Sequence, residues 1–255
     1  MGCDFCGLKT KELDDKINRA RSTLSLNLDG EDLVCIDSLN SIQIPNLNVF
    51  SVNNNKLSNL PVTFLRNSLN LKKIDCSMNI YELIDDVIFT KDSLQIFNFS
   101  LNFIQMVDIR FQQLHNLKEL YLSGNKINQI DNSLIFDSLE VLDLSCNYLK
   151  FLPWRLILSP KLEFIDLHNN EINTLPENWE ESNTKTINLE TNKLDNLPAS
   201  IFSKSKLSLI ILKGNLITLK QLYSYEDFHE YEKRRQYRVN SVYCEYINLE
   251  NCGLV

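Results

Sequence analysis

Residues 117–127 read LKELYLSGNKI, with Leu117, Leu120, Leu122 and Ile127 as the apolar frame and Asn125 three residues after the last leucine. The frame recurs along the chain: its asparagine returns at Asn55, Asn79, Asn102, Asn125, Asn147, Asn170, Asn192 and Asn215, at steps of 22 to 24 residues. Within each copy the apolar residues alternate over four or five positions, which is the pattern of a short strand. One such strand cannot bury its apolar side alone, so the copies must stack into a continuous parallel sheet over a shared core. The asparagine falls where the strand ends, and its amide can satisfy backbone groups of adjacent coils that water no longer reaches.

The eight copies start at Leu47, Leu71, Leu94, Leu117, Leu139, Leu162, Thr184 and Leu207. Ahead of them Leu26, Leu28 and Leu33 fit the frame with Glu31 in the asparagine slot, a polar variant suited to an end coil. The spelling LxxLxLxxNxL resembles the leucine-rich repeat. Four copies continue into Leu60-Pro61, Leu152-Pro153, Leu175-Pro176 and Leu197-Pro198. Proline cannot join a ladder, so the convex side should carry turns and one-turn helices, such as one over 199–202, rather than strands. This continuation looks like the typical intracellular class of the repeat. The resemblance implies an α/β solenoid, a horseshoe with the parallel sheet on its concave face and capping helices at both ends.

Three segments follow: 1–23, a tail and cap helix; 24–218, the solenoid with a degenerate first coil and eight repeats; and 219–255, a second cap with a further strand. Over residues 9–22, Leu13, Ile17 and Ala20 are spaced to cover the open first coil. After Leu219, Leu222, Tyr225, Phe228 and Tyr231 recur every third residue as one helix over the last coil, and the basic run 233–238 forms its solvated end. Residues 244–254, CEYINLENCGL, fit the frame with Cys252 in the asparagine slot, so 246–249 is read as one more strand after a helical insertion.

At 255 residues, 44% hydrophobic and with a net charge of −7, the chain has ample core and no bias towards nucleic acid. No run of 18 apolar residues exists, so no segment is read as spanning a membrane. The seven cysteines are odd in number and no apolar signal segment precedes them, which argues for a reducing, cytoplasmic compartment over a disulfide framework. Cys76 and Cys146 are read as small buried residues.

With three histidines and six glycines, the chain spells none of the nucleotide, zinc-protease or serine-hydrolase motifs, so no catalytic residue, cofactor or small-molecule substrate is assigned. Asp143, Asp166 and His168 fall on neighbouring strands and could share a cation, but the ligand set is incomplete and a solvated polar ladder is the preferred reading. Register names the side chains of the concave face. The first column holds Val49, Lys73, Ile96, Glu119, Val141, Phe164, Thr186 and Leu209; the second holds Ser51, Asp75, Asn98, Tyr121, Asp143, Asp166, Asn188 and Ile211. Apolar anchors ringed by aspartates suit a protein partner. The candidate binding residues are Val49, Asp75, Ile96, Tyr121, Val141, Asp143, Phe164, Asp166, His168 and Leu209, with Phe164, Tyr121 and Val141 as anchors.

The sequence opens MGCDFCGLKT, which offers Gly2 for myristoylation and Cys3 and Cys6 for palmitoylation, although Cys6 stands where the myristoylation motif prefers Ser or Thr. A zinc knuckle built on the same two cysteines would have no second half. The MG start, short helix, degenerate first coil and GNLITLKQLYSYEDFHEYEKRR near the other end resemble the leucine-rich repeat-containing protein 57 group. That resemblance implies a myristoylated, cytosolic or membrane-associated protein with no catalytic residues. The expected function is a non-catalytic scaffold tethered at the inner face of a membrane. Two alternatives are a regulatory subunit in a phosphatase or small-GTPase pathway and a ciliary or cytoskeletal component.

Overall fold

The computed structural model describes residues 10–203 and 205–241, and these form two compact units. One holds the residues up to Gln105 together with Arg110–Lys126; the other holds Met106–Ile109 and the residues from Ile127 onward. Gly2, Cys3, Cys6 and the strand expected at 246–249 lie outside the described residues. Among those described, no helix is long and apolar enough to cross a membrane.

In the first unit the helix Thr10–Thr23 buries Leu13, Ile17 and Ala20 beside the strand Ser25–Asn27. Next come Val49–Ser51, Lys73–Asp75, Ile96–Asn98 and Glu119–Tyr121, each parallel to the strand before it and in the register read from the repeats. Each three-residue strand turns its central side chain inward: Leu26, Phe50, Ile74, Phe97 and Leu120 have no exposed surface. Aromatic rings thicken this core. Phe97 stacks on Phe99 at 4.6 Å and meets Phe111 edge-on at 5.6 Å, while Phe111 packs on Phe89 at 5.1 Å.

The asparagines bond as their position requires. Asn79 accepts from the Leu57 N–H and donates to the carbonyls of Val52 and Cys76; Asn102 accepts from Tyr81 and donates to Cys76 and Phe99. Each side chain also donates to the carbonyl two residues before it, Ser77 or Ser100, and so supplies partners to backbone groups that a turning strand leaves unpaired. At the start of the stack Asn55 accepts from the N–H groups of both Glu31 and Leu33. Glu31, which stands in the asparagine slot of its own coil, pairs instead with Lys16 of the cap helix. The polar variant is therefore explained by the cap it meets.

The second unit repeats the design with Val141–Asp143, Phe164–Asp166, Thr186–Asn188 and Leu209–Ile211, again parallel and in the expected register. Asn147, Asn170, Asn192 and Asn215 accept from the N–H groups of Ile127, Leu149, Ile172 and Leu194. Opposite the sheet, the helix Trp154–Ile157 follows Pro153, and the 3-10 turn Ala199–Ile201 follows Pro198. In the first unit Val62–Asn67 likewise follows Pro61. The expectation of no convex strands needs one correction: Met106–Val107 pairs with Gln129–Ile130, and Phe151 bridges Thr174. The Met106 and Gln129 segments contain no proline, so their N–H groups remain free to form a short ladder.

The C-terminal cap also differs from the single helix expected. It comprises Leu219–Ser224, closed by a Thr218–Gln221 capping box, and Phe228–Ser241, with Tyr225 extended between them. Phe202, Tyr225, Phe228 and Tyr231 pack as one aromatic cluster. The Tyr231 hydroxyl accepts from the Ile210 N–H at 3.0 Å, which is a group that a further strand would take, and so blunts the edge. Arg234, read from the sequence as part of a solvated basic end, donates to the carbonyls of Phe202, Ser203 and Leu207.

One backbone feature recurs in every copy. The residue before each repeat asparagine is left-handed: φ lies between 52° and 74° at Asn54, Met78, Leu101, Gly124, Cys146, Asn169, Thr191 and Gly214. This kink turns the amide of that residue towards the following coil, as where Met78 donates to Ser100 O at 2.9 Å. Glycine occupies two of the eight positions, and a side chain in this region costs about 1–2 kcal/mol. A Cβ on Gly124 would also stand 2.5 Å from Leu101 Cδ2, a flexible tip that can swing aside. Gly124→Ala should therefore lower stability by about 1–2 kcal/mol, mostly through backbone strain, as read by thermal unfolding. An unchanged melting temperature would show that the turn can relax.

Candidate interaction surfaces

Each unit presents a face of its sheet to solvent, and the columns along it follow from the three-residue strands. In the first unit Val49, Lys73, Ile96 and Glu119 stand in one row and Ser51, Asp75, Asn98 and Tyr121 in the next. In the second unit the rows are Val141, Phe164, Thr186, Leu209 and Asp143, Asp166, Asn188, Ile211. The apolar members are less open than the sequence reading expects: Val49, Ile96, Val141, Phe164 and Leu209 are half-buried and Thr186 is buried. Parallel strands about 4.8 Å apart bring each side chain against its row neighbours, which cover part of it.

The aspartates are committed to their own turns. Asp75 Oδ1 accepts from the N–H and hydroxyl of Ser77, and Asp143 Oδ1 does the same for Ser145 at 3.0 and 2.6 Å. Asp166 Oδ1 accepts from the His168 N–H and faces its Nδ1 at 2.7 Å, while Oδ2 accepts from Asn188. Register brings Asp143 and Asp166 side by side. Among the described residues no group of three or more His, Cys, Asp and Glu is placed to hold a metal ion. In the first unit the Tyr121 hydroxyl donates to Glu119 at 3.0 Å.

Two features escape the column reading because they sit beside the asparagines rather than in the strands. In the first unit Met78, Ile80, Leu83, Leu101 and Phe103 form an exposed apolar flank, with Leu83 80% exposed. Ile80, Leu83 and Phe103 also line a groove of about 820 Å³ that includes Tyr81 and Arg110. The signal was present in the sequence: the copies at Asn79 and Asn102 carry apolar residues on both sides of the asparagine, where the copies at Asn55 and Asn125 carry Asn or Gly before it and Lys after it. In the second unit Cys146 is exposed, contrary to the buried position inferred from the sequence. It occupies the left-handed position, which turns a side chain outward as it does at Met78 and Leu101. Cys76 is buried as expected, and burial, reinforced by the Asp75 charge, raises its thiol pKa well above the usual range.

The Leucine Rich Repeat family matches residues 116–137. Curated protein sequences give no match. Among solved structures, the chain is similar to one from the crystal structure of a TLR13–ssRNA13 complex, with 26% identity and a TM-score of 0.67 over 79% of this chain and 30% of that one. It is also similar to an internalin (inlF) of Listeria monocytogenes, with 22% identity and a TM-score of 0.64 over 80% of this chain and 58% of that one. The chain thus spans less than two thirds of either protein. The stacked coils, their asparagine bonds, the repeat match and these likenesses together identify the fold as the solenoid of leucine-rich repeat proteins.

Proposed function

We propose that the chain is a non-catalytic protein-interaction module that holds a protein partner on the solvent face of its sheet. The carrying observation is the row Val141, Phe164 and Leu209 set beside Asp143 and Asp166, in which half-buried apolar side chains on rigid strands adjoin acidic groups. Such anchors lose little conformational freedom on binding, and the aspartates select a partner with basic residues around an apolar centre. Val49, Asp75, Ile96 and Tyr121 supply the corresponding face of the first unit, and His168 borders that of the second. A tether completes the proposal: Gly2 takes a myristoyl group, and Cys3 or Cys6 a palmitoyl group, since one chain alone binds membranes only marginally.

The test is affinity purification from source cells with the wild type, with Phe164→Ala plus Tyr121→Ala, and with Gly2→Ala. The double variant should lose the partner while its melting temperature falls by no more than a few degrees. An unchanged partner list would move binding to the apolar flank around Phe103. Gly2→Ala should abolish labelling by a myristate analogue without touching the partner, whereas equal labelling of both forms would remove the tether and leave the face intact.

A further inference from the structure

On the second unit three side chains stand in the order that activates sulfur. Cys146 Sγ lies 3.6 Å from His168 Nε2, and His168 Nδ1 lies 2.7 Å from Asp166 Oδ1. Asn169 Nδ2 approaches the same sulfur at 3.6 Å. Asp166 is acceptor-only when ionised, so it favours the tautomer with the proton on Nδ1 and leaves the Nε2 lone pair facing the thiol. A nucleophile, a base and a group that orients the base are thereby in line.

The backbone fixes this arrangement. Cys146 N–H donates to His168 O at 2.8 Å, and Asn169 N–H donates to Glu190 O at 2.9 Å, so adjacent coils hold the partners in register. The left-handed turns at Cys146 and Asn169 belong to the fold and mark no function by themselves. What sets Cys146 apart is that the following coil offers a histidine where the copies at Asn79 and Asn102 are followed by Ser100 and Ser123. The sulfur is exposed, unlike buried Cys76, so small reagents in solution can reach it. Asp143, on the strand that leads into Cys146, and Asp166, its register neighbour on the strand that leads into His168, are acidic and disfavour an anionic reagent.

We propose that Cys146 is a reactive thiol whose co-reactant is a small neutral or cationic disulfide, and that it carries a reversible mixed disulfide. As Sγ attacks one sulfur of the reagent, His168 Nε2 takes the thiol proton; the new S–S bond forms while the old one breaks, and the departing thiolate takes a proton back from the imidazolium. Cys146 is oxidised, and the released half of the reagent is reduced to a thiol. A second thiol attacking the adduct reverses the step.

The test follows modification of the full chain by neutral 4,4′-dithiodipyridine at fixed pH, with the labelled cysteine identified by peptide mass spectrometry. Cys146 should react first, and Cys146→Ser should remove that fast phase. His168→Ala should slow labelling of Cys146 about tenfold, and added imidazole should restore part of the rate, which a purely structural role for His168 would not allow. His168→Gln keeps a donor towards Asp166 but has no base; should the alanine variant fail to fold, this one must show the same slow rate. Labelling of Cys146 as fast in either folded variant as in the wild type, or a slow rate in His168→Ala that imidazole leaves unchanged, overturns the proposal.

Discussion

Asn102→Ala is expected to lower the unfolding free energy of the first unit by about 3–5 kcal/mol, because each buried backbone group left without a partner costs roughly 1–3 kcal/mol. The Asn102 side chain is 4% exposed. Its Oδ1 accepts from Tyr81 N at 2.9 Å, and its Nδ2 donates to Cys76 O at 3.0 Å and Phe99 O at 3.1 Å. Three groups in two adjoining coils lose their bond together, and none can turn to bulk water without opening the stack. Asn102→Asp should be at least as damaging, since a carboxylate offers acceptors to two carbonyls and buries a charge. Urea unfolding measures both variants, and the midpoint should fall with little change in slope. A loss below about 1 kcal/mol would mean that water reaches these groups and that the asparagine only decorates the turn.

Phe97→Ala is expected to cost about 3–5 kcal/mol, the range for truncating a fully buried aromatic ring. Phe97 has no exposed surface and its ring lies between Phe99 at 4.6 Å and Phe111 at 5.6 Å. The remaining strands are fixed by their ladders, so the cavity cannot collapse far. Phe97→Leu fills much of the volume and should cost clearly less, which separates cavity formation from loss of ring contacts. Equal losses in the two variants, read from the same urea curves, would instead point to the stacked geometry as the main term.

Much of this fold was legible because a periodic frame constrains every coil. Leu120 or Ile165 could be assigned to the core from position alone, and the structure places both there with no exposed surface. Strand register was legible for the same reason: a slip by one residue would turn every leucine outward. The departures occur where single side chains act outside the period. Tyr231 and Arg234 satisfy backbone groups of the last coils, although their spacing suggested only an amphipathic helix. For the candidate surfaces the columns could be named, but their half-burial depends on neighbours in adjoining coils. The proximity of Cys146 to His168 was hidden because the two lie 22 residues apart in sequence and become neighbours only when coils stack.

The left-handed residue before each asparagine has a consequence for how such a chain can vary. Six of these eight sites hold a side chain where glycine would relieve strain. At Met78, Leu101 and Cys146 that side chain points to solvent and adds nothing to the buried core. Surface chemistry can therefore be exchanged at these kinks, one coil at a time, without disturbing the ladder beneath. They form a row of interchangeable mounting points along the edge of each unit, and what is mounted there reflects the surroundings the molecule meets more than the way it folds.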